Sequence, residues 1–474
     1  MTGRRSRSGL ALPALAGLVA VVAATGKGLY VSPDGVFYVG TARNWLDGRG
    51  FTPPPGLPPR EHFPPLFTVL LAGLGVDPSS AARVVNAVAF AGLVLLVGLV
   101  VRARSGSVPA ALVASVLTVA AVDLLGLSGS ALSEPVFILL GISGLVALAA
   151  HLDRPRPTLL VGAAALVGAA FLTRYAGAAL VLAGMAALVR RRQWVDALIF
   201  GAVSVVPVTA WLAWAGSGDR AVAFHPFGWD YLGQAVRPLS RWVVPWPGPP
   251  VGLVLAVLLV VAGVIVVRRA PSTGDPSLNW LLAAFAVAYL VVVFAYRTFT
   301  DASGRLDARF LSPLHVVAIL IVVPALWRRS VVRPALALLA VAHVAGAVSW
   351  TAGGLTDDGI RRRGYTAAAW EHSSVVARLA ASDSPVYTNG FDAVFFLTGR
   401  STLPIPAEKD YLTGRTNPHY ADELAAVRAG GGLVAYFDAV TFRRSFLPSR
   451  AELEAALPLD VVLRDDVGTL YRLR

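Results

Sequence analysis

The sequence predicts an all-α polytopic membrane protein that ends in a small α/β domain. Three observations predict this class. Hydrophobic residues make up 56% of the chain and charged residues 15%, and the mean hydropathy is +0.65, outside the range of soluble domains. Apolar runs recur from Leu10 to Trp350, each near the length of about 20 residues that a bilayer span requires. From Thr351 onward the chain carries the alternation, turn and cap signals of a water-facing domain.

Eleven spans are read, at about 10–29, 81–101, 108–127, 135–150, 158–173, 175–189, 194–215, 249–267, 278–296, 309–327 and 331–350. Arginine placement tests this reading, because short cytoplasmic loops are enriched in Lys and Arg. With Arg4, Arg5 and Arg7 inside, the other inside loops carry Arg102 and Arg104, Arg154 and Arg156, Arg190 to Arg192, Arg268 and Arg269, and Arg328, Arg329 and Arg333. The N-terminus is therefore expected in the cytoplasm and the C-terminal tail outside the plasma membrane. The pattern depends on a chain break at "TRY", Thr173 to Tyr175, since one long tilted helix over 158–189 would invert everything downstream. The expected division is a membrane domain over 1–350, with a first outer loop at 30–80, and an extracytoplasmic domain over 351–474.

The first apolar segment also has the basic start and small residues of a secretory signal, and cleavage near Ala23 would likewise leave Tyr30 outside. The absence of cysteine excludes disulfides, thiol nucleophiles and Cys-ligated metals. The net charge is +13, and all but two of the 41 basic residues, Lys27 and Lys409, are arginine. Much of that charge belongs to the inside loops, so nucleic acid is not an implied partner. Membrane lipids are.

Four parts lie outside the spans. The first loop is proline-rich in "FTPPPGLPPREHFPPLF", and the second, about 216–250, holds aromatics and prolines in "FHPFGWDYLGQ" and "RWVVPWPGPP". The third, "YRTFTDASGRLDAR", is short and charged. In the tail, "SPVYTNGFDAVFFLTGR" reads as strand, Asn-Gly turn and helix, and "GGGLVAYFD" as a strand behind a helix at about 421–429. "SRAELEAAL" opens with a capping box of Ser449 and Glu452, and "VVLRDDVGTLYRLR" reads as a closing hairpin.

The stretch "YVSPDGVFYVGTARNWLDGRGF", Tyr30 to Phe51, directly follows the first span. Ser32 and Pro33 suit a helix start, Phe37, Tyr38, Ala42, Trp45 and Leu46 follow helical spacing, and Asp47-Gly48 supplies a stop. Asp34 then falls in the first helical turn at the outer interface. One reading is that it only satisfies free amides there. The other is functional: a carboxylate at that position is ionised at neutral pH, can accept a proton or hold a cation, and is a poor acid catalyst.

Four separated stretches resemble the GT-C superfamily of membrane glycosyltransferases, which includes the protein O-mannosyltransferases and the aminoarabinose transferase of lipid A. They are "SPDGVFYVGTARNWLDGRGF" with the following "HFPPLFTVLLAGLG", then "LSEPVFILLGISGL", "FLTRYAGAALVLAG" and "ARFLSPLHVVAILIV". Their order and spacing match over roughly Gly9 to Trp350, and "VYTNGFDAVFFLTGR" resembles the outside domain of bacterial members. The resemblance implies an inverting transferase that passes one sugar from a polyprenyl-phosphate sugar donor to an acceptor on the outer face. Asp34 matches the family's first-loop acid, for which the implied role is general base. The leaving phosphate needs positive charge, which arginine supplies through paired donors.

Arg174 between two short spans, and Arg305 and Arg309 before the tenth span, are the candidates for donor lipid-phosphate binding. The alternatives are a structural pair of Arg174 with Glu134 and interfacial anchoring by Arg305 and Arg309. Arg60, Glu61 and His62 precede "FPPLF", where relatives carry a basic residue before Pro-Pro-Leu and this chain has Phe63. Glu134 is read first as a helix-start residue and second as an accessory acid. No metal site is assigned: Asp34 with Glu61 or Glu134 offers oxygen ligands for a divalent cation, but no histidine pair has ligand spacing. His225, His315 and His343 are read as packed or interfacial residues. No Asp-x-Asp, dinucleotide fingerprint or P-loop occurs, which disfavours nucleotide-sugar donors.

Three other classes stay open: a lipid-linked saccharide polymerase or ligase, a transporter, and a non-catalytic saccharide-binding protein on the same scaffold. The first loop argues against the polymerase, and no inverted repeat supports a transporter. The acceptor is a glycan, a glycolipid or a protein. An Arg-rich, Lys-poor composition points to a high-GC, actinobacteria-like source, so decaprenyl-phosphate arabinose and mannose are the donors it suggests.

Overall fold

A computed structural model describes residues 2–216, 224–225, 228–245, 254, 276–300, 304–356, 364–410, 414–440, 444 and 446–474. The chain enters through α1 (Thr2–Ala24), crosses the first loop in α2 (Pro33–Leu46) and α3 (Leu66–Gly73), and continues in α4 (Pro78–Ser105). α5 (Val108–Val119), α6 (Val122–Ser128), α7 (Glu134–Asp153), α8 (Pro157–Phe171), α9 (Ala178–Arg190) and α10 (Trp194–Ala215) follow. The short α11 (Trp229–Gly233) and α12 (Val236–Arg241) precede α13 (Pro276–Phe299), α14 (Ala308–Trp327) and α15 (Arg333–Gly354).

Six of these segments are long and apolar enough to cross a membrane: α4, α7, α10, α13, α14 and Ser330–Gly354, which takes in α15. α5 and α6 meet at a 58° bend, as in a broken span or a re-entrant loop, and Gly9–Ala24, Pro157–Phe171 and Tyr175–Arg190 are shorter apolar helices. The chain is thus a multi-pass membrane protein. The straight span expected at 108–127 is instead broken at Ala120–Ala121. The "TRY" break is present, since α8 stops at Phe171 and a 3-10 turn, Tyr175–Gly177, leads into a separate α9. The span expected at 249–267 lies outside the described residues except for Val254.

Several helices start where a short polar side chain caps them. Ser32 accepts the Gly35 amide of α2 at 3.3 Å, Asp77 accepts the Ser79 and Ser80 amides of α4, and Asp307 accepts the Arg309 amide of α14 at 3.0 Å. The helices bury a continuous apolar core that includes Phe90, Phe137, Phe200, Phe285 and Tyr289.

The tail contains α16 (Ala368–Glu371), α17 (Ser374–Ala380), α18 (Phe391–Thr398), α19 (Tyr420–Gly430) and α20 (Arg450–Ala456). Its strands are β1 (Val386–Thr388), β2 (Leu403–Pro404), β3 (Leu433–Tyr436), β4 (Leu459–Arg464) and β5 (Thr469–Leu473), in the order β2-β1-β3-β5-β4. β1 runs parallel to β2 and β3, while β4 and β5 form the expected antiparallel hairpin. The Ser449–Glu452 capping box is present. One tail core, with Val427, Val434, Leu453 and Tyr471, stays within the tail. Another merges Tyr365, Trp370, Phe395 and Phe437 with Phe37, Tyr38 and Phe67 of the first loop. α2 is therefore roofed by the tail.

Candidate active site

Asp34 is placed by backbone. Tyr30 donates its amide to Gly129 and accepts the Ala131 amide, both at 3.0 Å, and the Tyr365 amide donates to the Val31 carbonyl at 3.0 Å. Asn86 holds the same connection by donating to the Ser130 and Leu132 carbonyls at 2.7 and 2.9 Å. The start of α2 thus sits against the start of α7, and a Cβ on Gly35 would lie 3.2 Å from Ala131. The hydroxyls of Tyr38 and Ser133 meet at 3.2 Å, which fixes the two helix starts against each other from the side.

The "TRY" turn is pinned to the first loop in the same manner. The Leu66 amide of the Pro-Pro-Leu segment donates to the Leu172 carbonyl at 2.9 Å. The Tyr175 hydroxyl donates to the Glu61 carbonyl at 2.7 Å and accepts from the Trp211 indole at 3.3 Å. Arg174 is thereby held out of both flanking helices in extended backbone.

These placements bring four charged side chains from four separate parts of the chain together. Arg309, in the first turn of α14, donates from Nη1 to Asp34 Oδ2 at 2.5 Å and from Nε to Glu134 Oε1. Arg174 donates from Nη1 to the same Glu134 oxygen at 2.6 Å, and its guanidinium lies 5.9 Å from the Phe310 ring centre. The Glu134 side chain is 1% exposed, Arg174 12%, Arg309 22% and Asp34 31%. The network thus runs from a sealed end at Glu134 to an open end at Asp34. Glu134 Oε2 is buried without a hydrogen-bond partner. Two acids and two guanidiniums give this group no net charge when all four are ionised.

Burial works to raise the Asp34 carboxyl, but attraction and a hydrogen bond from Arg309, with further attraction from His62 and Arg174, hold it below the ordinary carboxylate range. Burial, opposed mainly by Arg174, pushes the Tyr38 phenol far above its usual ionisation. It stays neutral beside the network.

The other sequence candidates have separate placements. Arg305 is exposed in the loop before α14 and makes no ion pair with the acids of the network. The Arg60 guanidinium lies 5.1 Å from the Trp214 ring centre, in an aromatic group with Trp211 and Phe51. Glu61 is buried, and His62 packs on Phe63 at 4.6 Å. Phe63, where the family resemblance implies a basic residue, packs on Phe37 and Tyr38 at 4.8 and 5.0 Å. It belongs to the core under Asp34.

Three features escaped sequence reading. Glu134 is the common partner of two arginines rather than only the start of α7. Arg309 joins two acids. A second buried network in the tail links Asp392 to Tyr365 at 2.7 Å and to Arg444 at 2.5 Å. The "SEP" triplet was the available signal for the first, since a buried Glu beside an outer helix start needs a cation. Among the described residues no three His, Cys, Asp or Glu groups converge as metal ligands, and a guanidinium lies between Asp34 and Glu134.

No protein-family model matches the chain, and no curated protein sequence does. Three solved structures are similar to it. ArnT from Cupriavidus metallidurans, an aminoarabinose transferase, matches with undecaprenyl phosphate bound at 14% identity and a TM-score of 0.50, covering 97% of each chain. Its apo state matches at 14% identity and 0.51, again over 97% of each chain. The mycobacterial arabinofuranosyltransferase AftD matches at 13% identity and 0.52, over 98% of this chain and 40% of its own. These are GT-C glycosyltransferases, and the chain has their fold over nearly its whole length.

Proposed function

We propose that this protein transfers one sugar from a polyprenyl-phosphate donor to an acceptor hydroxyl at the outer face of the membrane, with inversion, and that Asp34 is the general base. The observation that carries this reading is the single network of Asp34, Arg309, Glu134 and Arg174. It combines an ionised, partly open carboxylate with two guanidiniums beside it. That is the charge set needed when a hydroxyl loses a proton while a phosphate leaves as an anion. The fold supports the class, and the undecaprenyl phosphate bound to ArnT supports a lipid phosphate as the leaving group.

In this mechanism the acceptor oxygen attacks the anomeric carbon on the side opposite the phosphate. The new carbon–oxygen bond forms, the hydroxyl proton passes to an Asp34 oxygen, and the electron pair of the breaking bond goes to the phosphate oxygen. Backside displacement gives inversion. Arg174 and Arg309 stabilise the charge that develops on phosphate. Arg305, exposed in the loop before the same helix, is assigned to the lipid-water boundary around the headgroup. The orientation in this reading, with the N-terminus in the cytoplasm and the tail domain over 351–474 outside, is supported by the arginine-rich short loops of the sequence.

The test is sugar transfer by the purified full chain in membranes from polyprenyl-phosphate pentoses and hexoses. Transfer from one donor, with loss on Arg174→Ala, is the expected result. Transfer only from a lipid-linked oligosaccharide would replace this reading with the polymerase class.

A further inference from the structure

The network has a fixed end and a free end, and among the described residues Arg309 alone bonds both acids. Its Nε is held on Glu134, whose side chain is sealed and is gripped a second time by Arg174. Its Nη1 is on Asp34, which is the most exposed of the four. Among the described residues its third nitrogen, Nη2, makes no hydrogen bond.

We infer that Arg309 is a shared guanidinium that pivots on Glu134 and passes from Asp34 to the departing phosphate as the acceptor proton reaches Asp34. This rests on the glycosyl-transfer reading above. While Arg309 holds Asp34, the carboxylate is a weak base and the acceptor is not deprotonated prematurely. A phosphate drawn onto Arg309 loosens that hold and makes Asp34 more basic. Proton transfer to Asp34 then removes the charge that attracted Arg309, just as the phosphate gains one. The charges balance: a phosphodiester anion with ionised Asp34 becomes a phosphate dianion with neutral Asp34. Glu134 is a positioning residue here, and its second guanidinium partner keeps it paired throughout.

The groups that face Asp34 are Arg309 from α14, His62 from the first loop and Arg174 from the "TRY" turn, with Glu134 and Tyr38 next to them. Of these, Arg309 alone bonds it.

The test is titration of the full chain in nanodiscs with undecaprenyl phosphate, the leaving group without its sugar. Asp34→Asn releases Arg309 and is expected to bind this probe about twofold to tenfold more tightly than wild type while losing transfer. The gain should vanish in an Asp34→Asn, Arg309→Lys double variant, which keeps the charge but loses the fork. Equal or weaker binding by folded Asp34→Asn overturns the handover and leaves the transfer reading standing. So does a gain that survives in the double variant. A wild-type chain that neither binds the probe nor transfers sugar sinks the transfer reading itself, and the handover with it.

Discussion

Replacing Glu134 by glutamine keeps the side chain's size and removes the charge that two guanidiniums share. Both bonds to Glu134 Oε1 become neutral-acceptor bonds, and each loses about 1 kcal/mol of charge assistance. The new amide NH2 would stand where the carboxylate has a buried oxygen without a partner, so it gains nothing at that position. The expected loss for Glu134→Gln is therefore about 2 to 3 kcal/mol. Glu134→Ala leaves Arg174 without its acid and Arg309 with Asp34 alone, at about 3 to 5 kcal/mol. At the open end, Asp34→Asn should cost under about 1 kcal/mol, because a partly exposed pair is screened by water. The assay is the apparent unfolding temperature of the purified variants in one detergent at one scan rate. The order expected is wild type, Asp34→Asn, Glu134→Gln, Glu134→Ala, from most to least stable. Glu134→Gln as stable as wild type, or Asp34→Asn less stable than Glu134→Ala, would refute the sealed-end, open-end account.

The pH dependence follows from the sign of the Asp34 shift. Its folded-state pKa lies below the unfolded value near 3.9, so its contribution to stability is full above that value and is lost as pH falls through the lowered one. Transfer should accordingly stay level from neutral pH down to the ordinary carboxylate range, measured as kcat/KM against pH; an acid limb near pH 6 would assign the base to another group. In the tail, Asp392→Ala leaves Arg444 and Tyr365 without their buried acid, and a loss of about 3 to 5 kcal/mol should appear as faster proteolysis of the tail. Tyr365→Phe, which removes the hydrogen bond donated to Asp392 and the one accepted from Arg444, should cost about 1.5 to 3 kcal/mol in the same assay. Gly40→Ala would set a Cβ 2.4 Å from Pro54 and 3.2 Å from Phe395, and should destabilise by about 1 to 3 kcal/mol in thermal unfolding. Gly162→Ala, in α8 with nothing within 4 Å, should instead be neutral or stabilising by up to about 1 kcal/mol.

Much of the fold could be read from local pattern, because length and hydropathy decide whether a segment spans and short polar residues decide where a helix begins. The Ser32 cap and the Ser449–Glu452 box are each settled by residues within a few positions of one another, while the break at Thr173–Tyr175 and the Asn389-Gly390 corner are marked locally and held by distant partners in the first loop and at Phe437. The 58° bend between α5 and α6 was not legible, since the residues at it, "VAAV", are apolar and carry neither Gly nor Pro. The two-residue β2 was missed for a similar reason: it ends in proline and gains its place only by pairing with β1. Individual site residues were legible and their partnership was not. Asp34 and Arg309 are 275 positions apart, and helical spacing says which face is apolar but not which helix start meets which. The Arg174–Glu134 pair was legible as a structural alternative, because a buried cation and a buried acid at one membrane depth need each other. That Glu134 also takes Arg309 depends on how α14 packs, for which no local signal exists. The departure at Phe63 acquires a physical reason only in three dimensions: the aromatic ring packs under α2 against Phe37 and Tyr38.

The most direct measurement is transfer of radiolabelled sugar from a panel of polyprenyl-phosphate monosaccharides by wild type and by Asp34→Asn, in membranes that supply native acceptors. Transfer by wild type from one donor, with inverted anomeric configuration in the product and loss in a folded Asp34→Asn, is the predicted result. Transfer that survives Asp34→Asn undiminished would contradict the assignment of Asp34 as the base.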